Sequence, residues 1–167
     1  GGFRNTGFES TDHAGHGDGT ASVGDDQSLI VQRVGFLIQC LYLLAGARGF
    51  TAIVRLALAR NPDFAVTNRY GGTALIPACH YGHVETVQTL LGSRIPIDHV
   101  NNLGWTALLE AIILGDGGPA HTEIVRLLVA HGADVNLADR AGTTPLAHAR
   151  KRGYREITST LERAGAR

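Results

Sequence analysis

The chain has 167 residues, which is enough for one domain or for a short array of structural repeats. Its formal net charge is zero and only 18% of its residues are charged, so no general electrostatic attraction to nucleic acid or to an anionic membrane is expected. The two cysteines, Cys40 and Cys79, lie among apolar neighbours, which favours buried free thiols over a disulfide.

Residues 1–34 are predicted to form a glycine-rich lead-in that includes a candidate N-terminal capping helix. Gly1–Asp26 contains seven glycines and few large apolar residues, so it cannot bury enough surface to offset its ordering entropy. His13 and His16 could present a metal site, but no cysteine or rigid helix fixes their geometry, and a solvated tail is the preferred interpretation. The chain contains no methionine, so we expect it to be a piece of a longer or processed protein.

An apolar stretch from Leu29 to Ala47 raises the question of a membrane anchor or a signal sequence. It ends in Ala-Gly-Ala, which resembles a signal-peptidase site. Gln32, Arg33 and Gln39 interrupt it, however, whereas a transmembrane helix needs about 20 consecutive apolar residues. A structural helix is therefore preferred over a signal or anchor.

The rest of the chain repeats one phrase with a basic period of 33 residues. Thr73, Thr106 and Thr144 are separated by 33 and 38 residues, and the longer spacing contains five extra residues at Asp116–Ala120. Each threonine begins a similar four-residue motif, which is TALI, TALL or TPLA. Second-helix words such as GHVETV and EIVRLL follow, and HGADVN stands at 131–136. A 33-residue period with these words resembles the ankyrin repeat.

The resemblance implies an all-α solenoid, in which each repeat contributes a helix-turn-helix unit and a protruding loop. Four repeats are expected, at residues 35–67, 68–100, 101–138 and 139–167. The first is degenerate, because Cys40 stands where the opening threonine belongs. The last carries charged and polar substitutions that suit a solvent-facing cap, and we expect Arg167 to lie close to the natural end.

The threonines predict where the first helix of each repeat begins. Each should be an N-cap, with the helix starting within about two residues of Thr73, Thr106 or Thr144. Pro77 should bend its helix or delay the start, because a proline beyond the first turn removes a backbone hydrogen bond.

The five-residue insertion, Asp116–Ala120, contains two glycines and a proline. These residues argue against a longer helix, so we expect a surface loop between the two helices of the third repeat. Since closure entropy changes slowly with loop length, we also expect this loop to be dispensable for folding.

The sequence contains no phrase typical of catalysis or phosphate binding, and no catalytic residue, metal or cofactor is predicted. In ankyrin repeats the histidine after the turn glycine closes the interhelix turn by hydrogen bonding, which implies structural roles for His83 and His121. His131, before the glycine of HGADVN, receives a structural role from the same resemblance. Glu110 and a neighbouring imidazole could form an acid–base pair, but a solvated glutamate is the preferred interpretation.

Proteins of the ankyrin family bind partners on the concave side, through the loop tips and the exposed face of each first helix. The predicted partner-binding residues at the loop tips are Arg69, Tyr70, Asn102, Leu103, Trp105 and Arg140. Those on the helix faces are His80, Tyr81, Ile113, Leu114, Lys151 and Arg152. Aromatic and aliphatic residues at nominally exposed positions, rimmed by charge, favour an interaction surface. The alternative is that Ile113 and Leu114 pack under the insertion and that Trp105 staples adjacent loops.

We therefore expect a non-catalytic protein–protein interaction module that acts as a cytoplasmic monomer on another protein, without nucleic acid, membrane or cofactor. A missing upstream signal would instead make it periplasmic or secreted, as an exported accessory factor for an enzyme. A histidine- and glutamate-based enzyme is the remaining alternative.

Overall fold

The computed structural model describes residues 23–167, with side chains from residue 27, and this part of the chain folds as eight α-helices without a strand. The expected all-α class is thus confirmed. The helices are α1 Val23–Arg48, α2 Thr51–Leu58, α3 Leu75–His80, α4 Val84–Leu91, α5 Ala107–Ile113, α6 Pro119–Ala130, α7 Pro145–Arg152 and α8 Arg155–Arg163. Residues 1–22 of the proposed lead-in, with its histidines, His13 and His16, lie outside the described residues.

The helices form four consecutive pairs that stack into two layers. Within each pair the two helices pack against each other, α1 on α2, α3 on α4, α5 on α6 and α7 on α8. Between pairs, α1, α3, α5 and α7 contact one another in chain order, and so do α2, α4, α6 and α8. The main contacts of each pair are therefore with its neighbours in sequence, which is the arrangement of a solenoid.

A single apolar core runs between the two layers. Leu75, Leu108 and Leu146 come from the first helices, while Val87 and Ile124 come from the second, and all five are at most 3% exposed. Small residues such as Ala78 and Ala111 are fully buried between neighbouring first helices. They let the helices approach closely, so the core is continuous along the array.

The opening threonines mark the helix starts as predicted, within two residues in each case. Thr106 and Thr144 are N-caps, and their hydroxyls accept hydrogen bonds from the backbone N–H of Leu109 at 3.2 Å and of Ala147 at 3.3 Å. Each hydroxyl satisfies one of the unpaired donors in the first turn.

Thr73 departs from this pattern, and the prediction that it caps α3 is wrong. The N-cap is Ala74, and the buried hydroxyl of Thr73 has no hydrogen-bond partner. The cause is Pro77, because it has no N–H to close the first turn on the carbonyl of Thr73. In the other repeats this bond runs from Glu110 to Thr106 at 2.9 Å and from His148 to Thr144 at 3.0 Å. The delayed start expected from Pro77 is confirmed.

The first repeat begins within a long continuous helix. Residues Gln27–Val34 belong to α1 and do not form a separate helix folded over the end of the array. Every side chain from Leu29 to Leu37 is exposed, whereas Tyr42 and Ala45 pack in the core. Residues Gln27–Arg48 are long and apolar enough to cross a membrane, and 22% of the most apolar window is buried against the rest of the array.

The two thiols are both free, but only one is buried. Cys79, on α3, is buried in the core, as predicted. Cys40 is exposed on α1, so the prediction of a buried thiol is wrong there. The degenerate repeat turns this position outward because the core side of α1 is formed by Tyr42 and Ala45 instead.

The insertion in the third repeat lengthens α6, which contradicts the predicted loop. Pro119 and Ala120 form its first turn, and the helix has 12 residues where α4 has 8. Proline at the first helical position loses no hydrogen bond and has a favourable φ, so Pro119 starts the helix instead of breaking it. Only Asp116, Gly117 and Gly118 of the insertion remain as a loop.

Candidate partner-binding face

The loop before each first helix is held by the side chain that opens it. The side-chain oxygen of Asn68 accepts hydrogen bonds from the N–H groups of Tyr70 at 2.8 Å and Gly72 at 3.0 Å. Asn101 accepts in the same way from Leu103 and Trp105, and Asp139 from Ala141 and Thr143. These bonds fix the backbone of each tip, so side chains on the loops are presented from a rigid support. We call the surface formed by loops 68–73, 101–106 and 139–144 together with α3, α5 and α7 the loop-side face.

Neighbouring loops are also bonded to each other. The N–H of Asn102 donates to the carbonyl of Tyr70 at 2.9 Å, and Nε2 of His99 lies 2.7 Å from the carbonyl oxygen of Gly71. Gly104 has a φ of +84°, and a Cβ there would come within 2.4 Å of Cγ of Arg140. The Arg140 side chain therefore lies against the preceding loop, which links the third and fourth repeats on this face.

The predicted tip residues lie on the surface, with one exception. Arg69, Asn102 and Arg140 are exposed, as are Tyr70 and Leu103, which keep about half of their surface. The guanidinium of Arg69 lies over the ring of Tyr70, 4.8 Å from its centroid. The exception, Trp105, is half-buried.

The predicted helix-face residues differ in exposure from one repeat to the next. Tyr81 is 58% exposed and stacks on His80, with 4.2 Å between ring centroids and 10° between planes. Leu114 is exposed and Ile113 is half-buried. In the fourth repeat, Lys151 and Arg152 are exposed.

An open pocket of about 330 Å³ lies on the loop-side face between the second and third repeats. Five of the predicted residues line it and are thereby brought together, namely Tyr70, His80, Tyr81, Leu103 and Leu114. The other seven do not line it, namely Arg69, Asn102, Trp105, Ile113, Arg140, Lys151 and Arg152. The pocket thus gathers five of the twelve predicted residues from the second and third repeats.

The inner wall of the pocket carries Glu110, which was not among the predicted binding residues. Glu110 is 6% exposed, so the expectation of a solvated glutamate is wrong. Its Oε1 accepts a hydrogen bond from Nδ2 of Asn101 at 2.9 Å, and its Oε2 lies 3.5 Å from Nδ1 of His80. Burial raises the pKa of Glu110 to about 7, against a smaller opposing effect of the Asn101 hydrogen bond.

His80, across from Glu110, is shifted in the opposite direction. Burial lowers the pKa of His80, and the nearby His121 lowers it further. Both changes favour the neutral forms, so around pH 7 the two side chains do not form a stable ion pair.

The remaining histidines make structural hydrogen bonds. Nε2 of His83 lies 3.3 Å from the carbonyl oxygen of Ala47, and Nε2 of His121 lies 2.9 Å from that of His80. Both imidazoles therefore bond the end of the preceding repeat's first helix. His121 also closes its own interhelix loop as predicted, because its Nδ1 lies 2.8 Å from Oδ1 of Asp116, whereas His83 makes no side-chain bond to its own turn. Nδ1 of His131 lies 2.8 Å from the carbonyl oxygen of Leu127 in its own helix. Within the described residues no three His, Cys, Asp or Glu side chains are arranged to hold a metal ion.

The family model described as "Ankyrin repeats (3 copies)" matches residues 41–139 and 96–167. The ankyrin repeat protein YahD of Escherichia coli (strain K12) is 44% identical over 132 residues, which are 78% of this chain and 63% of that protein. The crystal structure of an ankyrin repeat domain from Acinetobacter baumannii AYE superposes with a TM-score of 0.74 at 60% identity, covering 75% of this chain and 64% of that one. The ankyrin repeat protein EF0377 has a TM-score of 0.70 at 44% identity, covering 72% and 62%. The chain thus spans somewhat less than two thirds of the length of these proteins.

Proposed function

The chain belongs to the ankyrin repeat family, whose repeats are protein-interaction modules, and on that basis we propose that it binds a protein partner through its loop-side face without catalysing a reaction. The observation that supports this face is the group of exposed rings and aliphatic side chains around the pocket. Tyr70, Tyr81 and Leu103 are each at least half exposed, and Leu114 is 43% exposed. Large aromatic residues of this kind contribute most to protein interfaces.

The rigidity of the loops also supports the proposal. The opening side chains, Asn68, Asn101 and Asp139, each bind two backbone N–H groups of their own tip. A surface that is already ordered loses less entropy when a partner binds. The loop-side face therefore combines apolar anchors with a fixed backbone.

The test is selection of binders from a displayed library of random peptides, followed by affinity measurements on variants of the array. Replacing Tyr70 and Tyr81 with alanine should lower the affinity of the array for the selected peptides by on the order of 30-fold, as expected for interface hot spots. Leu56→Ala is the matched control, because Leu56 is a 71% exposed apolar residue on α2, in the other layer. Equal weakening by both variants, or selected peptides that are insensitive to the tyrosine changes, would contradict the loop-side face as the binding surface.

An enzyme is the second candidate, and one observation favours it. Glu110 and His80 approach to 3.5 Å beside an open pocket, which is the geometry of an acid–base pair. A panel of hydrolase substrates tests this candidate, with Glu110→Gln as the inactive comparison. Turnover that Glu110→Gln abolishes would establish it, whereas absence of turnover together with peptide binding leaves the interaction module.

A further inference from the structure

The buried carboxyl of Glu110 is incompletely paired. Its Oε1 has an ordinary hydrogen bond from Asn101 at 2.9 Å. Its Oε2 has only Nδ1 of His80 at 3.5 Å, which is longer than the usual range of about 2.7–3.2 Å for a hydrogen bond. Since a carboxylate can accept about four hydrogen bonds, the group retains capacity for a donor that enters the pocket.

No basic side chain of the array neutralises this carboxyl. Among residues 27–167, His80 is the one candidate for an ion pair with Glu110 within 4.0 Å. His80 is itself disfavoured as a cation by its burial and by His121. Burying a carboxylate without a counter-ion costs free energy, which a cation from outside would recover.

The walls of the pocket suit the rest of a basic side chain. Tyr70 and Tyr81 present aromatic rings, whose faces attract cations. Leu103, Leu114 and Ile76 provide apolar surface against which an aliphatic stem can pack. The contact between the Arg69 guanidinium and the Tyr70 ring, at 4.8 Å, shows that one of these rings already holds a cation of the chain itself.

We propose that this pocket receives an arginine or lysine side chain of the protein partner, with Glu110 as its counter-ion and Tyr70 and Tyr81 as its walls. The inference rests on the proposed function, because it specifies the chemistry of the partner on the same face. An acidic side chain would be repelled by Glu110. An apolar one would bury the carboxyl further without giving it a donor.

The pocket's affinity for a cation should rise with pH. The carboxyl of Glu110 has a pKa of about 7, so its ionised fraction increases about tenfold from pH 6 to pH 8. The other titratable groups near it are His80 and Cys79 on α3, and His121 on α6, which faces His80. On α7, His148 is paired with Asp139 at 2.8 Å. Because burial lowers the pKa of His80, its protonation contributes less in this range than that of an ordinary histidine, and ionisation of Glu110 should dominate the change.

The direct test uses small probes, N-acetyl-argininamide and N-acetyl-lysinamide, with neutral N-acetyl-citrullinamide as the matched control. Binding is followed by ¹³C NMR of the glutamate side-chain carboxyls, and the signal of Glu110 is identified by its loss in Glu110→Gln. At least one cationic probe should move this signal at millimolar concentration, and the apparent affinity obtained from its titration should be about tenfold higher at pH 8 than at pH 6. Citrulline should leave it unchanged. An equal response to citrulline, or no response to either cation, would overturn the proposal.

The selected peptides provide the second test and separate this inference from the proposed function. A basic residue of a bound peptide should lose about tenfold in affinity on replacement by glutamine in the wild-type array, but less than about twofold in the Glu110→Gln array. Peptides that depend on Tyr70 and Tyr81 but show no such coupling would leave the loop-side face intact and refute the cation pocket. Peptides that keep the coupling but are insensitive to the tyrosine changes would refute Tyr70 and Tyr81 as the walls of the cation site, and with them the proposal as stated. Glu110→Gln retains an acceptor for Asn101, so its circular dichroism spectrum should match the wild type.

Discussion

At the scale of single residues, the repeats differ at the position nine residues after the loop-opening side chain. The pairs of opening residue and ninth residue are Asn68 and Pro77, Asn101 and Glu110, and Asp139 and His148. In the third repeat the opening amide donates to the carboxyl at 2.9 Å, and in the fourth the imidazole Nε2 lies 2.8 Å from the opening carboxylate. The second repeat has a proline there and no such bond. In the third and fourth repeats the opening side chain is thus hydrogen-bonded to the side chain nine residues later, an amide with a carboxyl and a carboxylate with an imidazole.

The burial of Glu110 makes stability depend on its protonation. Its pKa is about 7 in the folded chain and about 4.5 in the unfolded chain, so the folded state holds the proton more tightly. The resulting stabilisation is fully present below pH 4.5 and is lost as the pH rises through 7. The free energy of unfolding should therefore fall by on the order of 2–3 kcal/mol between pH 4.5 and pH 8, measured by urea denaturation.

Glu110→Gln is the control, because glutamine resembles the protonated acid and cannot ionise. The variant should be as stable as wild type at pH 4.5 and should lose far less stability towards pH 8. Parallel curves for the two proteins would show that Glu110 does not carry the pH dependence.

Trp105 tests the two roles considered for it. Replacing the half-buried Trp105 with alanine should lower the free energy of unfolding by about 1–2 kcal/mol. This loss lies between those expected for an exposed residue and for a fully buried aromatic residue. Tyr81→Ala is the comparison, with an expected cost of about 0.5 kcal/mol or less, because Tyr81 is 58% exposed. A loss of 3 kcal/mol or more for Trp105→Ala would identify a structural staple between loops and remove it from the binding residues.

At the scale of elements, the remaining loop of the insertion is fastened to the fourth repeat. The hydroxyl of Tyr154 donates to the carbonyl of Gly115 at 2.9 Å, and Oδ1 of Asp116 accepts from the N–H of Gly118 at 2.8 Å. The same oxygen lies 2.8 Å from Nδ1 of His121. That Asp116–Ala120 is dispensable for folding stays a prediction, and these contacts argue against it, because the deletion removes the Asp116 hydrogen bonds and the first two residues of α6.

Gly117 offers the sharper test of this fastening. It has a φ of +71°, and a Cβ there would come within 2.3 Å of the Tyr154 ring. Gly142 is the matched control, since it has a φ of +78° and nothing within 4 Å of the added Cβ. Gly142→Ala should cost about 1 kcal/mol from backbone strain alone, and Gly117→Ala should cost at least about 1 kcal/mol more. Equal losses of melting temperature would mean that the ring moves aside freely.

At the scale of the whole molecule, the repeat register could be predicted from the sequence because it depends on local signals. The opening threonines and the period of the repeat place the starts of α3, α5 and α7 within two residues, with Thr106 and Thr144 as N-caps. The burial of Glu110 could not be predicted from the sequence, since it requires the Asn101 side chain and α3 to lie around Glu110 in space. The prediction of a loop at Asp116–Ala120 treats Pro119 as a residue that ends a helix. At the first helical position, however, a proline favours a helix.

The exposure of the predicted binding residues could be predicted to a similar extent. Counting from the loop-opening residue identified the exposed rings, Tyr70 and Tyr81, because position in a repeat determines exposure. It could not show which of the twelve residues meet around one pocket. That grouping depends on the distance between neighbouring loops, which the period alone does not specify.

The uncovered first part of α1 has a consequence for how the molecule responds to heat. Side chains from Leu29 to Leu37 contact solvent, and an isolated helix of about 15 residues is only marginally stable in water. This segment should fray gradually from low temperature, as a peptide does, while the array melts in one sigmoidal step. Circular dichroism at 222 nm should show a sloping decline before that step. The slope should become flatter in a chain that begins at Leu37, and an unchanged slope would show that α1 melts as part of the array.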